Sequence, residues 1–138
     1  MTDLPALVTL TDVGKTYQRT GREPVIAVTD VNLSIRDGEI VSLIGASGCG
    51  KSTLLRILAG LVDGYSGTVN WSQPPRPGRD IGFVFQEPVL LPWRTVRGNA
   101  QFGLEAQKTP KAAMHATVTR LLELVGLEGF EKAYPREL

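Results

Sequence analysis

Residues 45 to 52, Gly45-Ala46-Ser47-Gly48-Cys49-Gly50-Lys51-Ser52, constrain this chain more than any other run, because they fit the spacing G-x-x-x-x-G-K-[ST]. A loop of that kind sits between a buried strand and a helix, so it fixes the local order of elements. Both neighbours are present as patterns. Ile40-Val41-Ser42-Leu43-Ile44 is a short, nearly continuous apolar run after the turn signal Asp37-Gly38, as expected of a central strand covered on both faces. Leu54, Leu55, Ile57 and Leu58 cluster at helical spacing and stop before Gly60, which reads as a C′ glycine. The chemistry follows from the same residues. Glycines let successive N–H groups turn inward around phosphate oxygens, at a helix N-terminus whose partial positive charge favours anions. Lys51 is placed to reach the β- and γ-phosphates of a nucleotide, and Ser52 to hold Mg²⁺ through its hydroxyl. A dinucleotide loop does not fit, since Thr53 stands where the third glycine of G-x-G-x-x-G belongs, and a nucleophile elbow would need glycine at Cys49.

Composition bounds the alternatives. The 138 residues are close to one domain of ~150. With 42% hydrophobic and 21% charged residues, the chain can fill a core. Fifteen Lys and Arg against 14 Asp and Glu leave +1, too little for an electrostatic nucleic-acid binder. A single cysteine and a single histidine exclude a disulfide framework and a Cys/His zinc site. The longest uncharged run, Gly64 to Pro75, is far short of the ~20 apolar residues that cross a bilayer. Met1-Thr2-Asp3-Leu4-Pro5 has no apolar h-region, so a secretory signal is not expected and a reducing, cytoplasmic setting is. Nine of the 15 glycines fall between Gly38 and Gly82, which marks that interval as the place where backbone must turn sharply or approach a ligand.

The remaining elements read as follows. Leu7 to Val13 and Val31 to Ile35 are half-buried, antiparallel strands, and Gly67 to Trp71 is a further short strand. Pro74, Pro75 and Pro77 mark an exposed loop. Ile81-Gly82-Phe83-Val84-Phe85 is a second buried-type strand, stopped by Gln86-Glu87-Pro88. Thr109-Pro110 reads as an N-cap followed by proline at N1, opening a helix whose apolar stripe is Met114, Val118, Leu121, Leu122 and Val125 and which ends near Gly126. His115 lies off that stripe and reads as solvated. Cys49 reads as a contributor of a backbone N–H rather than a thiolate. Arg76, Arg79, Arg94 and Arg97 read as loop charges rather than a nucleic-acid patch.

These residues together resemble the nucleotide-binding subunit of ABC transporters, along essentially the whole chain. Lys15-Thr16-Tyr17 sits where that family places an aromatic residue that stacks on adenine. Gly45, Ala46, Ser47, Gly48, Cys49, Gly50, Lys51, Ser52 and Thr53 form its phosphate loop, and Phe83-Val84-Phe85-Gln86-Glu87 resembles the strand leading into its Q-loop. Leu90-Leu91-Pro92-Trp93-Arg94-Thr95-Val96 is similar to a segment of nitrate, sulfonate and taurine importers, and Tyr134-Pro135-Arg136-Glu137-Leu138 to the approach to the LSGGQ signature. Arg97-Gly98 departs from the leucine and acidic residue usual there, and glycine inside a helix costs ~1 kcal/mol relative to alanine.

The resemblance implies an α/β fold: a P-loop NTPase core of parallel sheet and helices plus an antiparallel β-layer, with residues 1–138 as the N-terminal portion of one ATP-binding domain. It implies ATP and Mg²⁺ as ligands, with Lys51 and Gln86 in catalysis and Ser52 and Gln86 at the metal. It also implies a head-to-tail pairing with a second ATP-binding subunit, a peripheral place on the inner face of the cell membrane, and a transmembrane permease met by Glu87 to Arg97. Within that loop, Leu90, Leu91 and Trp93 have two open readings, an exposed docking patch or a cover for the core. The family's catalytic Glu and switch histidine would lie beyond Leu138, and no Asp-Glu pair follows an apolar run in these residues. Nucleotide binding without turnover is therefore expected of them alone; the alternative to an importer subunit is a remnant that binds nucleotide or permease only.

Overall fold

The computed structural model describes residues 5–76 and 79–138; Met1 to Leu4 and Pro77 of the expected proline loop lie outside the described residues. The chain divides into two compact units, Met1–Ile81 and Gly82–Leu138.

The first unit is built on an antiparallel sheet in the order β2-β1-β3, with β1 at Ala6–Arg19, β2 at Arg22–Arg36 and β3 at Ser66–Trp71. Long β-branched runs on either side of Thr20-Gly21 make β1 and β2 a hairpin, with Gly21 at φ 69° in the turn. Val8 and Leu10 point into the core at period two, and Val13 rejoins them one residue out of phase. An irregularity between Leu10 and Val13 supplies the extra residue. There Asp12 takes φ 50°; the Asn32 amide holds it, its Oδ1 accepting from Asp12 N at 3.0 Å and its Nδ2 donating to Asp12 Oδ1 at 2.9 Å. Helix α1, Lys51–Leu58, lays Leu54 and Ile57 on this face, completing a core with Val8, Leu10 and Val13 flanked by Val31, Leu33, Ile35 and Trp71. Its C-terminus closes as expected. Gly60 N donates to Ile57 O at 3.0 Å and Leu61 N to Arg56 O at 2.8 Å, the paired bonds of a Schellman end.

Two expected strands do not form ladders. Ile40 to Ile44 and Ile81 to Phe85 carry no strand pairing, and Ile40 and Ile44 are 95% exposed and Val84 94% exposed. Their apolar composition fits a position between two neighbours. A strand is stable only with a partner for its N–H and C=O groups, and no such partner exists among the described residues. Only Leu43 packs against the core.

The second unit packs α2, Val96–Ala106, against α3, Lys111–Leu124, and ends in a short 3-10 turn at Pro135–Glu137. Val96, Val118 and Leu122 form its core, with Leu104, Met114, Leu127 and Ala133 around them. Three corrections to the sequence reading arise here. Pro110 is the N-cap of α3 rather than its first helical residue; with ψ 137° it is still extended, and its carbonyl accepts from Met114 N at 2.9 Å. Leu121 and Val125 are exposed, so the buried stripe is only Met114, Val118 and Leu122 at i, i+4 and i+8. Gly98 does not weaken the middle of a helix. It lies in the first turn of α2, where its N–H donates to Thr95 Oγ1 at 3.2 Å.

Candidate nucleotide site

The N-terminus of α1 is open. Its N-cap is Gly50, which has no side chain to turn back onto the first-turn N–H groups, and no acidic residue sits in that turn. Among the described residues no acceptor takes the N–H of Lys51, Ser52 or Thr53; the first bond of the helix is Leu54 N to Gly50 O at 2.9 Å. Gly50 has φ 96°, and a Cβ there would meet the Ala27 carbonyl and, at 2.9 Å, the Val28 side chain. Only glycine fits this approach of loop to sheet.

Lys51 folds over the loop. Its Nζ donates to Gly45 O at 2.8 Å and Ala46 O at 2.7 Å and lies 3.4 Å from Cys49 Sγ. Gly45, Ala46, Cys49 and Lys51 are thus held as one ring, with the ammonium at its centre, while Ser47, Gly48 and Ser52 are exposed. A phosphate oxygen arriving here competes with neutral carbonyls for the ammonium, and an ionised acceptor makes the stronger bond. An open cleft of about 350 Å³ borders the loop, lined among others by Leu43, Ile44, Gly50, Lys51 and Leu54.

Tyr17 belongs to the same unit, on β1 opposite Val25, with its ring partly exposed and the Lys15 ammonium 5.2 Å from its centroid. Lys15 also donates to Asp63 O at 2.6 Å and Gly64 O at 2.9 Å, tying this strand end to the loop after α1. That role was readable only in part, since Lys15 and Tyr17 share a strand face at i and i+2 but the carbonyl partners are distant in sequence. Gln86 lies in the other unit, on the unpaired run after Phe85.

A bound Mg²⁺ is compatible with these residues if the nucleotide brings most of its ligands. Ser52 offers an exposed hydroxyl at the loop, and among the described residues no group of three His, Cys, Asp or Glu side chains could hold a metal by itself. Mg²⁺ is commonly held in that way, by few protein oxygens plus substrate phosphates.

Within Glu87 to Arg97, the apolar side chains of Leu90, Leu91 and Trp93 differ in exposure. Trp93 is 72% and Leu90 50% exposed, while Leu91 is half-buried. Arg97, read from sequence as a loop charge, lies in the first turn of α2, and three of the four arginines Arg76, Arg79, Arg94 and Arg97 are engaged within their own unit. Arg76 pairs with Asp80 at 2.9 Å, and its hydrogen bond holds the Asp80 carboxyl down to about 2. Arg94 pairs with Glu105 at 2.7 Å, and Arg97 donates to Thr119 at 3.1 Å.

A phosphate-loop chain of α/β type is what this fold and loop define. It belongs to the ABC transporter family, whose model matches residues 28–138. It is 47% identical over 119 residues to the nitrate import ATP-binding protein of Synechocystis sp., covering 85% of this chain and 45% of that protein. It is 54% identical over 112 residues to an aliphatic sulfonates import ATP-binding protein of Xanthomonas axonopodis pv. citri, covering 79% and 44%. The chain thus spans less than half the length of these relatives. Among solved structures it is similar to the ATP-binding cassette MJ0796 in a dimeric, post-hydrolysis state bound to ADP and Pi, with a TM-score of 0.81, 32% identity, and coverage of 95% of this chain and 62% of that one.

Proposed function

We propose that residues 1–138 are the N-terminal portion of an ATP-binding domain that couples nucleotide binding and hydrolysis to import through a membrane permease, with nitrate or a sulfonate as the class of solute. The observation that carries this reading is the open N-terminus of α1, with unclaimed N–H groups beside the Lys51 ammonium. In it, Gly45 to Thr53 cradle the phosphates, Lys51 binds the β- and γ-phosphates, Ser52 ligates Mg²⁺ and Tyr17 stacks on adenine. Gln86 would orient water and, with Ser52, help to hold the metal. Mg²⁺ held there would supply positive charge to offset that of the nucleotide phosphates. Exposed Leu90 and Trp93 support a permease contact along Glu87 to Arg97. The relatives' role in import supports a place on the inner face of the membrane, and the dimeric solved relative supports pairing with a second ATP-binding subunit. No helix among the described residues is long and apolar enough to cross a membrane. For these 138 residues alone, the sequence favours binding without turnover, since no catalytic carboxylate follows a second buried strand.

Titration with a fluorescent nucleotide tests the binding reading. Mg-ATP should bind more tightly than AMP, Tyr17→Phe should be nearly silent, and Tyr17→Ala should lose ~1–3 kcal/mol, the scale of base stacking on an aromatic face. Equal affinity for AMP and Mg-ATP would remove the phosphate loop from the account.

A further inference from the structure

The Asn99 side chain makes four hydrogen bonds, and all of them go to one turn. Its Oδ1 accepts from Leu91 N at 2.7 Å, and its Nδ2 donates to Leu91 O at 3.1 Å, Arg94 O at 3.0 Å and Thr95 O at 3.0 Å. The pair of bonds with Leu91 copies the reciprocal pairing of a β-ladder, so the amide stands in for a strand neighbour. Arg94 N closes the turn onto Leu91 O at 3.0 Å. Arg94 itself braces the turn on α2: its Nη1 donates to Gly98 O at 3.2 Å and to Glu105 Oε2 at 2.7 Å, and its guanidinium lies 5.1 Å from the Phe102 ring centroid. The backbone of 91 to 95 is therefore fixed to one helix face while Leu90 and Trp93 point outward.

We propose that Asn99, seconded by Arg94, is a positioning residue for the docking loop: it holds the Leu91–Thr95 turn so that Leu90 and Trp93 are presented, already ordered, to an apolar surface on the permease. This rests on the reading that the loop meets a permease. Two apolar side chains held out in water gain nothing for the free chain, and ordering them in advance lowers the entropic cost of association. Asn99 touches neither nucleotide nor partner in this account and acts through the turn.

The test uses the whole chain and the detergent-solubilised membrane subunit of a nitrate or sulfonate importer as the captured probe. Asn99→Asp is isosteric and keeps an acceptor for Leu91 N, but sets carboxylate oxygens against three carbonyls. It should lower capture about tenfold or more and leave Mg-ATP affinity within about twofold. Added to Trp93→Ala, it should lower capture little further, because both changes act on one contact. A Trp93→Ala variant that is captured like the wild type would overturn the docking reading. Loss with Trp93→Ala but not with Asn99→Asp, or losses that add in the double variant, would overturn the positioning role and leave the docking reading standing. Should Asn99→Asp fail to fold, amide exchange of the wild-type chain decides: Leu91 N–H should exchange at least about tenfold more slowly than Trp93 N–H, and equal rates would overturn the proposal.

Discussion

Two helices in this chain begin in opposite ways. At α1 the cap is a glycine in left-handed conformation, and the N–H groups of Lys51, Ser52 and Thr53 find no acceptor among the described residues. At α2 every first-turn N–H is occupied: Val96 N donates to Ala133 O at 2.8 Å, Arg97 N to Glu131 O at 3.0 Å and Gly98 N to Thr95 Oγ1 at 3.2 Å. Both ends carry the same partial positive charge. At α2 the chain neutralises it with its own carbonyls and a threonine, which makes that end structural. At α1 the glycine loop withholds those partners and adds a lysine, which leaves that end open.

The largest effect that should sharpen this contrast comes from Gly50→Ala. A Cβ there strikes the Ala27 carbonyl at a φ that L-residues resist, so the first unit should lose about 2–5 kcal/mol of stability in denaturant melts together with nucleotide affinity. Wild-type stability in this variant would mean that the loop does not sit against the sheet as described. Next is Lys51→Ala, which should weaken Mg-ATP binding by roughly 1.5–3 kcal/mol, the scale of a charge-assisted hydrogen bond. Unchanged affinity in that titration would break the comparison on the α1 side.

Thr95→Ala tests the closed end. It should lower the stability of the second unit by ~1 kcal/mol in thermal melts and leave nucleotide affinity alone. The smallest effect is acidic. The N–H groups of Glu131 itself and of Gly129, with Arg97 nearby, hold the Glu131 carboxyl below its usual range. A depressed carboxylate contributes stability that is fully present above its unfolded value, near pH 4.5, and is lost as pH falls through the lower folded one. The residue is only half-buried, so melts between pH 5 and pH 3 should show only a slight destabilisation that Glu131→Gln removes. An identical acid response in Glu131→Gln would detach this carboxylate from the α2 end.

The contrast also separates what the sequence made legible from what it did not. The α1 end was readable because all of its determinants are local: the glycine spacing, Lys51, the apolar cluster Leu54 to Leu58 and the closing Gly60 lie within one short stretch. The α2 end was not, because Gly98 and Gly103 obscure helical character and two of its three acceptors, Glu131 and Ala133, come from a distant part of the chain. Asn99 was invisible for the same reason, as its partners are backbone groups of a turn whose shape composition does not specify. Parts of β1 and β2, Leu7 to Val13 and Val31 to Ile35, are legible as antiparallel strands from β-branched residues and, in the second, a period-two pattern, and β3 as a short strand, but the hairpin that joins β1 to β2 is not. Ile40 to Ile44 and Ile81 to Phe85 failed as strands in the opposite sense. Their composition is right for a buried sheet, but a ladder is a property of two segments, and the second is not among the described residues.

The central claim is that nucleotide phosphate binds the unclaimed N–H groups of α1 and ignores those of α2. Backbone amide NMR of the purified chain, with and without Mg-ADP, reads both ends in one spectrum. The account predicts that the amides of Gly48 to Thr53 shift on saturation while those of Val96, Arg97 and Gly98 stay where they were. Unmoved Lys51, Ser52 and Thr53 amides at saturating nucleotide, or equal shifts at both helices, would contradict it.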